Sequence, residues 1–476
     1  MQKIDMQRIK HIHLIGIGGC GMSAIAKILH EMGYSVSGSD LKESSNTIRL
    51  KDLNIKIHIG HEESLVRNTD LILVSSAIPL NNPEIIKATA NDIPIWSRAD
   101  MLSWIMDQFP QRITVCGTHG KTTTTSMLAQ IFVNLKLDPT YLIGGETDPV
   151  DGNAKLGKGP YTIAEADESD GSFLKLNPNC TVVTNIENDH LDYFGTIENI
   201  KDSFYQFIAK MPEKSFVSIC LDNENNREII RKMPSHTSFK TYSICDPKAD
   251  YFADNIKFNN RQSKFDVYSS GEKLGEARLI IPGKHNVENA LGALAIGINY
   301  GIPFGNLVHA IQSFRGARRR FQLLGNTENI LVFDDYAHHP SEICATLEAA
   351  KSGFKDKRII CVFQPHRFTR TMFLLEEFGK AFANADEIII TDIYSAGEAP
   401  IEGLSGKSVA DEVIKNAPNK PVTYIPKKEK VVEYLCDVLK EGDIVIFAGA
   451  GDIYTAGKEL VARLKMSEKD HENFTL

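Results

Sequence analysis

A glycine-rich turn between an apolar strand and a helix constrains this chain more than any other feature. Residues 113–116 are apolar and β-prone, the turn reads Gly117-Thr118-His119-Gly120-Lys121-Thr122-Thr123, and a helix-compatible segment covers 126–135. This order places backbone N–H groups and a helix N-terminus around an anion, as in proteins that hold phosphate. The usual phosphate loop, G-x-x-x-x-G-K-[ST], needs glycine at the position of Val115. The shorter spacing indicates a narrower set of ATP-using proteins.

The loop predicts how ATP is held. Lys121 neutralises the β- and γ-phosphates, and the Thr122 hydroxyl reaches a Mg²⁺ ion. A turn that binds no ligand is the alternative, and the flanking strand, the lysine and the threonine argue against it. The predicted nucleotide-binding loop residues are Gly117, Thr118, Gly120, Lys121, Thr122 and Thr123.

Composition excludes several other classes. A chain of 476 residues is expected to form two or three domains, and 42% hydrophobic with 24% charged residues is ordinary for a globular enzyme. The net charge of -8 gives no footprint for nucleic acid. The 8 cysteines contain no C-x-x-C pair, so neither a zinc site nor a disulfide framework is predicted. Without a long apolar run or a signal-like N-terminus, we expect a cytoplasmic protein that does not contact a membrane.

Short apolar runs alternate with longer helical stretches, which predicts an α/β fold of βαβ units with mostly parallel sheets. Residues 102–112 are expected to form a connector before the strand that leads into the phosphate loop. The predicted strands are 13–16, 35–38, 55–57, 71–75, 161–164, 181–184, 216–220, 330–333, 358–363, 387–391, 422–425 and 443–447.

A second glycine-rich turn follows the first strand. Residues 16–21 fit G-x-G-x-x-G between a strand and a helix over 22–32, and Asp40 stands where a dinucleotide enzyme keeps its ribose-binding acid. Taken alone, this pattern predicts NAD. Because a tight turn that opens a helix holds any pyrophosphate, and the chain has an ATP-type loop, a nucleotide-diphosphate substrate is the better interpretation. The candidate binding residues are Gly16, Gly18, Gly19, Gly21 and Asp40.

Carboxylates follow two strands of the middle region. Residues 165–170 follow one strand and residues 185–192 follow another, so Glu168 and His190 come at strand ends, where α/β proteins place their sites. Such a set suits Mg²⁺, and the histidine also permits Mn²⁺. Solvated loops are the alternative. Asn286 and Asn289, a helical turn apart, could read an adenine edge.

Polar clusters also follow strands in the last third. They comprise residues 334–340, 364–370 and 392–398. Arg367 and Arg370 lie three apart and could clamp a carboxylate. For the adjacent histidines His338 and His339, hydrogen bonding or proton handling is a better interpretation than metal binding, because no third soft ligand has a suitable spacing.

Together these motifs resemble the Mur ligases, ATP-dependent amide-forming enzymes of peptidoglycan synthesis. The His-His-Pro and Gln-Pro-His-Arg pieces are the most specific. The resemblance implies a UDP-sugar-binding Rossmann-like domain (1–107), a central P-loop ATPase-type ligase domain (108–324) and a C-terminal Rossmann-like amino-acid-binding domain (325–476). The motifs lie at 16–22, 117–123, 165–173, 184–192, 285–290, 319–321, 334–340, 364–370 and 392–398.

The resemblance further implies ligation of L-alanine to UDP-N-acetylmuramate through an acyl phosphate, with ATP and Mg²⁺, by a monomer or weak homodimer. It implies metal contacts for Thr122, Glu168 and His190, and a catalytic role for Lys121 at the γ-phosphate. The other roles it implies are adenine or nucleotide contacts for Asn286, Asn289 and Asp335; UDP contacts for the first turn with Asp40, His61 and Ser75; and muramyl-carboxylate and alanine contacts for His338, His366, Arg367 and Arg370.

One position departs from the family. Several sister ligases have a lysine downstream of the D-H-L-D motif that becomes carbamylated and helps hold a second metal, whereas this chain has Phe204. The alternative functions are a recycling ligase that attaches a tripeptide to the same UDP-sugar, folylpolyglutamate synthase, an NAD(P)-dependent dehydrogenase and a non-catalytic regulator.

Overall fold

The computed structural model describes residues 4–145, 152–259, 261–327 and 329–474, and in these ranges the strands form sheets of five, ten and six strands. The chain divides into two compact units. One comprises Met1–Ala253, Val267–Gly275 and Glu288–Ser313, and the other comprises Asp254–Asp266, Glu276–Val287 and Phe314–Leu476. Among the described residues, no helix is both long and apolar enough to cross a lipid bilayer.

The first sheet is built from alternating strands and helices. Its elements are β1 (His11–Ile15), α1 (Cys20–Glu31), β2 (Ser35–Asp40), α2 (Ser45–Asp52), β3 (Lys56–Ile59), β4 (Leu71–Val74), α3 (Pro83–Ala90), β5 (Ile95–Ser97) and α4 (Arg98–Asp107), with 3-10 turns at Met6–Arg8 and Glu63–Val66. The strand order is β3-β2-β1-β4-β5, and all four pairings are parallel. Strand order reverses at β1, so the turns after β1 and β4 open at the crevice where such sheets bind ligands.

The second sheet carries the phosphate loop. Its elements are β6 (Gln111–Cys116), α5 (Lys121–Asn134), β7 (Thr140–Leu142), β8 (Ala154–Lys155), β9 (Tyr161–Glu165), β10 (Cys180–Val183), α6 (Leu191–Phe194), α7 (Ile197–Ala209), β11 (Phe216–Cys220), α8 (Glu224–Lys232), β12 (Ser238–Ser243), β13 (Tyr251–Asn259), β14 (Gln262–Ser269), β15 (Glu272–Leu279), α9 (Lys284–Asn299) and α10 (Phe304–Ile311), with a 3-10 turn at Ser172–Lys175. The order is β15-β14-β13-β12-β11-β10-β6-β9-β7-β8. Strand β6 lies between β10 and β9 and runs parallel to both, so the residues after these three strands emerge at one edge.

The third sheet is also built from alternating strands and helices. Its elements are β16 (Gln322–Thr327), β17 (Ile330–Asp335), α11 (Pro340–Gly353), β18 (Ile359–Phe363), α12 (Phe368–Phe373), α13 (Leu375–Lys380), β19 (Glu387–Ile390), α14 (Gly406–Asn416), β20 (Val422–Tyr424), α15 (Lys428–Val438), β21 (Ile444–Ala448) and α16 (Tyr454–Phe474). The order is β16-β17-β21-β18-β19-β20, with β16 antiparallel to β17 and the other pairs parallel. Every residue of β18 and β21 is buried, as expected for parallel strands covered on both faces.

The predicted α/β class and mostly parallel sheets are confirmed, and some local predictions are wrong. The connector expected at 102–112 is the end of α4 and the start of β6, and α5 begins at Lys121 rather than Ser126. Strands β5, β7, β8 and β12 to β16 were not predicted. Strand β13 shows the reason: its second half alternates between exposed and partly exposed residues and lacks an apolar run.

Candidate functional site

The phosphate loop is fixed by residues that follow β10. The amides of Thr118 and His119 donate to Asn185 O (2.8 Å) and Asn185 Oδ1 (2.8 Å), and Thr184 Oγ1 donates to His119 O (2.6 Å). Gly117 has φ +133°, and a Cβ there would lie 2.0 Å from Thr184 Oγ1. Only glycine fits at this position, so the turn is preset by tertiary contacts as well as by its own sequence.

Lys121, the first residue of α5, reaches back into the loop. Its Nζ donates to Gly117 O (2.6 Å), Thr118 O (3.1 Å) and Glu168 Oε1 (2.8 Å). Burial by itself lowers the pKa of Lys121, but Glu168 and the neighbouring carboxylates outweigh burial and raise it, so the amine stays cationic. The Lys121 ammonium group is thus already held in the loop, and a phosphate bound there would replace some of these contacts.

Glu168 is the most perturbed acid of this region. The residue is 2% exposed, and its Oε2 has no hydrogen-bond partner among the described residues. Burial raises the pKa of Glu168 to about 7, although Lys121 opposes that rise. A buried carboxylate oxygen without a partner is costly unless a ligand completes it. This observation fits a hard divalent cation, for which carboxylate oxygens are preferred ligands.

Further acids surround the same lysine. Thr122 Oγ1 donates to Glu165 Oε2 (3.2 Å), and Glu165 Oε1 accepts from Gly144 N (2.6 Å). Asp167 pairs with Arg98 at 3.3 Å. Burial raises the pKa of Asp167, but Lys121 and Arg98 outweigh burial and hold it below its usual value. The structure therefore places the predicted metal residue Thr122 against Glu165, which the sequence prediction did not single out.

Three polar residues of the predicted motifs have left-handed backbone conformations. The φ angles are 55° at His190, 57° at Arg319 and 69° at Arg367. Such conformations cost about 1–3 kcal/mol each in residues with a side chain, and they cluster at functional sites. His190 N donates to Asp189 Oδ1 (2.8 Å), which fixes the backbone at the end of the acidic segment after β10.

The two asparagines of α9 have different surroundings. A Cβ at Gly120 would lie 2.5 Å from Asn289 Oδ1, so Asn289 packs directly on the phosphate loop. Asn286 Nδ2 donates to Pro282 O (2.6 Å), a contact that ties this side chain to the backbone just before the helix. Both side chains are buried. The adenine contacts of both asparagines stay a prediction.

The predicted substrate residues of the first sheet converge at the end of β2. Gly16 N and Ile17 N donate to Ser39 O (2.9 and 3.1 Å), and Gly18 N donates to Asp40 Oδ2 (2.8 Å). Asp40 O in turn accepts from Gly60 N (2.8 Å), which precedes His61. The turn is thus closed onto β2, and the Asp40 carboxylate holds it.

A largely apolar cavity of about 600 Å³ opens beside this turn. Ser75, at the end of β4, lines it together with Arg98, and Arg98 also lies next to Gly21 in the first turn of α1. Gly19 precedes that helix as its N-cap without a side-chain cap. The apolar wall of the cavity comes from Ile78, Pro79, Leu80, Ile85, Ile95 and Trp96.

Three of the four predicted carboxylate- and alanine-binding residues meet in the third sheet. The rings of His338 and His366 lie 5.9 Å apart, and Arg370 Nη1 lies 3.4 Å from His366 Nδ1. His366 stacks on Tyr394 with centroids 5.6 Å apart and an interplanar angle of 8°. The backbone amide of Arg367 donates to Tyr394 O (2.8 Å). The structure brings His338, His366 and Arg370 together and places Arg367 beside them.

The two histidines have opposite hydrogen-bond environments. His338 Nδ1 lies 2.9 Å from Tyr336 O and 3.2 Å from Glu342 Oε2, and both of these atoms are acceptors. His366 Nδ1 instead faces the guanidinium of Arg370, a donor. Burial, reinforced by Arg370, lowers the pKa of His366 to about 4. His366 is therefore a neutral, weakly basic ring at neutral pH.

Asp335, predicted near the nucleotide, holds backbone in this sheet. Its two carboxylate oxygens accept from Phe321 N and Ala337 N, both at 2.8 Å. Burial raises the pKa of Asp335 to about 6, although the nearby Arg320 guanidinium opposes that rise. Its nucleotide contact stays a prediction.

Arg319 is a residue that the sequence prediction left without a role. Its Nε donates to Asp334 Oδ2 (3.1 Å) and its Nη2 to Gly449 O (2.7 Å). The guanidinium lies 4.9 Å from the ring of Tyr336 and 4.6 Å from that of Tyr454. The dense run of arginines at 315–320 was the available signal, but the two aromatic partners come from distant segments.

Phe204 stands where several sister ligases have a carbamylated lysine, and the structure shows what this residue does instead. Its side chain is fully buried and packs against Phe173 with ring centroids 5.2 Å apart. The position is part of the hydrophobic core, so a metal-bridging group at this position is excluded.

Comparison with known proteins identifies the family. The profile described as "Mur ligase family, catalytic domain" matches residues 11–110, "Mur ligase middle domain" matches 115–297, and "Mur ligase, glutamate ligase domain" matches 319–451. The chain belongs to the Mur ligase family.

Individual relatives show which members of the Mur ligase family this chain is similar to. The chain is 48% identical over 464 residues to the UDP-N-acetylmuramate–L-alanine ligase of Pelotomaculum thermopropionicum, an alignment that covers 98% of this chain and 100% of that protein. The crystal structure of a UDP-N-acetylmuramate-alanine ligase from Thermotoga maritima aligns with TM-score 0.83 and 30% identity over 97% of this chain and 100% of that one. A murein peptide ligase from Psychrobacter arcticus aligns with TM-score 0.71 and 26% identity over 96% of this chain and 98% of that one.

Proposed function

We propose that this enzyme forms a C–N bond between the carboxylate of UDP-N-acetylmuramate and the amine of L-alanine, with ATP converted to ADP and phosphate, in peptidoglycan precursor synthesis. The observation that carries the proposal is the Lys121–Glu168 pair at a preset phosphate loop, in a chain 48% identical along nearly its whole length to an L-alanine-adding relative. The recycling, tripeptide-adding alternative is less well supported, because the murein peptide ligase structure is 26% identical to this chain. Family membership also argues against the dehydrogenase and regulator alternatives.

Each of the three segments 1–107, 108–324 and 325–476 would bind a different substrate. The first would bind the UDP-sugar at the Gly16–Gly21 turn, with Asp40, His61 and Ser75. The second would bind ATP through Gly117–Thr123, with Asn286 and Asn289 at adenine. The third would supply Asp335 near the nucleotide and the amino-acid site. We further propose a cytoplasmic monomer or weak homodimer.

A carboxylate is a poor electrophile, so its activation is the first step. The substrate carboxylate would attack the γ-phosphorus and displace ADP, which leaves an acyl phosphate. Lys121 and the N–H groups at the start of α5 would stabilise charge on the transferring phosphoryl group. Because the loop is held by Thr184 and Asn185, these donors need no rearrangement of the backbone.

Thr122, Glu168 and His190 would hold the divalent cation, Mg²⁺ or Mn²⁺. The cation would supply Lewis-acid stabilisation of phosphate oxygens. The unpartnered Oε2 of Glu168 supports this assignment.

The second step needs a neutral amine. His338 is the better base, because its Nδ1 faces two acceptors and therefore carries the ring proton, which leaves Nε2 as the lone-pair nitrogen. His366 would position substrate, since its Nδ1 lone pair faces Arg370. Arg367 and Arg370 would bind carboxylate. Attack of the amine on the acyl carbon then expels phosphate and forms the amide.

Phosphate and ADP release tests the proposal. Release should require ATP, UDP-N-acetylmuramate and L-alanine together, and Lys121→Ala should abolish it while UDP-N-acetylmuramate binding persists. Undiminished turnover in that variant would contradict the role of the loop. Turnover with the tripeptide alone, in a panel of amino acids and tripeptide, would establish the recycling function instead.

A further inference from the structure

A fully buried glutamate joins two histidines in the first sheet. Glu84, on α3, accepts hydrogen bonds from His13 Nε2 (2.8 Å), Ser39 Oγ (2.9 Å) and His61 Nδ1 (2.7 Å). Burial raises the pKa of Glu84, but these three hydrogen bonds outweigh burial and hold it below its usual value. Glu84 is therefore a carboxylate inside the domain, and a neighbouring cation offsets the cost of burying its charge.

The position of the balancing proton follows from which atoms face one another. His11 Nδ1 lies 3.0 Å from Asn68 O, an acceptor, so that nitrogen carries a hydrogen. Ser37 Oγ lies 2.8 Å from both His11 Nε2 and His13 Nδ1, yet a hydroxyl donates only one hydrogen. Ser37 Oγ therefore donates to one ring nitrogen and accepts from the other. Because His11 Nδ1 and His13 Nε2 also carry hydrogens, whichever ring donates to Ser37 Oγ carries two protons.

That imidazole is His13. Its Nε2 contacts the Glu84 carboxylate directly, and both side chains are almost fully buried. The carboxylate near His11 is Asp70, whose Oδ2 accepts from the backbone amides of Lys10 and His11 rather than from the ring. A Glu84–His13 ion pair makes the buried cluster neutral. A second cation at His61 would leave it with a net charge, which burial disfavours.

His61 is thereby left neutral with its hydrogen on Nδ1. That nitrogen faces Glu84 and also lies 3.0 Å from Ser39 Oγ. Its Nε2 carries the lone pair and has no protein partner among the described residues, and the side chain is 11% exposed. Because Ser39 O also accepts from Gly16 N and Ile17 N, His61 lies beside the first glycine turn.

We propose that Glu84 is a positioning residue that fixes His61 as a hydrogen-bond acceptor for the uridine part of the substrate, a ribose hydroxyl or the imide N–H of uracil. The inference rests on the proposed function in that a uridine nucleotide binds at this turn. A cationic His61 would instead contact the diphosphate. The two arrangements make opposite predictions for uridine nucleotides that differ only in phosphate number.

Calorimetric titration of the full-length protein with UMP and UDP separates them. Replacing the ring by His61→Phe should weaken both nucleotides by a similar factor, about 10-fold, because one hydrogen bond to the nucleoside is lost. A loss that is several-fold larger for UDP than for UMP would overturn the proposal in favour of a phosphate contact. Wild-type protein that binds neither nucleotide would contradict the proposed function itself, whereas unchanged binding in the variant would contradict only this inference.

The role of Glu84 is tested by a double-mutant cycle. Glu84→Gln should weaken UMP and UDP by about the factor seen for His61→Phe, leave ADP affinity unchanged, and cause no further loss in the His61→Phe background. Additive losses would show a merely structural role. Asp70→Asn is the matched control, since it removes a carboxylate that holds the opposite end of β1 and should leave nucleotide affinity unchanged.

Wild-type protein labelled with ¹⁵N-histidine gives a test on the unsubstituted chain, in which variants serve only to assign the signals. The long-range ¹H–¹⁵N spectrum, assigned by the His61→Phe and His13→Gln variants, should show His61 protonated at Nδ1 only and His13 protonated at both nitrogens. A protonated His61 Nε2 would overturn the proposal.

Discussion

Replacing Glu168 with glutamine should stabilise the protein while it removes ATP-dependent turnover. Burial raises the pKa of this carboxyl from its ordinary 4.5 to about 7. Because the folded state binds the proton more tightly than the unfolded state, stability falls as pH rises from about 4.5 through 7. At pH 8 the ionised group costs roughly 2–4 kcal/mol, at about 1.4 kcal/mol for each unit of pKa.

Glutamine removes that cost and retains an acceptor for Lys121 Nζ. In the presence of a chelator, thermal unfolding of Glu168→Gln should occur about 5 °C or more above the wild type at pH 8. The gain should be much smaller at pH 5, where the folded forms of both proteins carry a neutral side chain. Glu198→Gln, at a site 68% exposed, is the surface control and should change little at either pH. A variant that is less stable than the wild type at pH 8, or equally stabilised at both pH values, would refute the reasoning.

Other residues carry separate predictions. Gly117→Ala should lower ATP turnover by about 100-fold or more, because the alanine Cβ would lie 2.0 Å from Thr184 Oγ1. Calorimetry should show that UDP-N-acetylmuramate binding is retained. Full activity would show that the loop is not preset. His338→Gln should slow amide formation by about 100-fold, while hydroxylamine still traps the acyl phosphate; loss of both products would contradict a role as amine base. Arg319→Lys keeps the charge but loses the hydrogen bonds to Asp334 Oδ2 and Gly449 O and the guanidinium contacts with two aromatic rings. Urea unfolding should therefore report a free energy of unfolding lower by about 1–3 kcal/mol. Unchanged stability would contradict a structural role for this residue.

Features carried by local pattern could be predicted from the sequence. The strand–glycine turn–helix order at β6 and α5 and the first turn at β1 and α1 are local, because steric limits on the backbone and the helix N-terminus act over a few residues. The α/β class follows from the same alternation of apolar runs. The boundaries of the predicted three segments and the roles of the site residues stay predictions.

Features that depend on distant partners could not be predicted. Glu84 lies in a short helix and has no local sign that it is buried, since its partners His13 and Ser39 come from two other strands. Glu165 stood in an acidic run for which a solvated loop was the alternative, and the sequence does not show its contact with Thr122. The choice between His338 and His366 depends on which atom faces Nδ1, and a one-dimensional pattern does not contain that information.

In the proposed reaction the loop steadies the γ-phosphate while a carboxylate attacks it. The most direct test of this proposal uses UDP-N-acetylmuramate labelled with ¹⁸O in the carboxylate, turned over with ATP and L-alanine in unlabelled water. Mass spectrometry of the released phosphate should find one ¹⁸O atom in each molecule, with the second retained in the amide. Unlabelled phosphate, with both ¹⁸O atoms left on the sugar carboxylate, would show that water attacks ATP and would contradict the account.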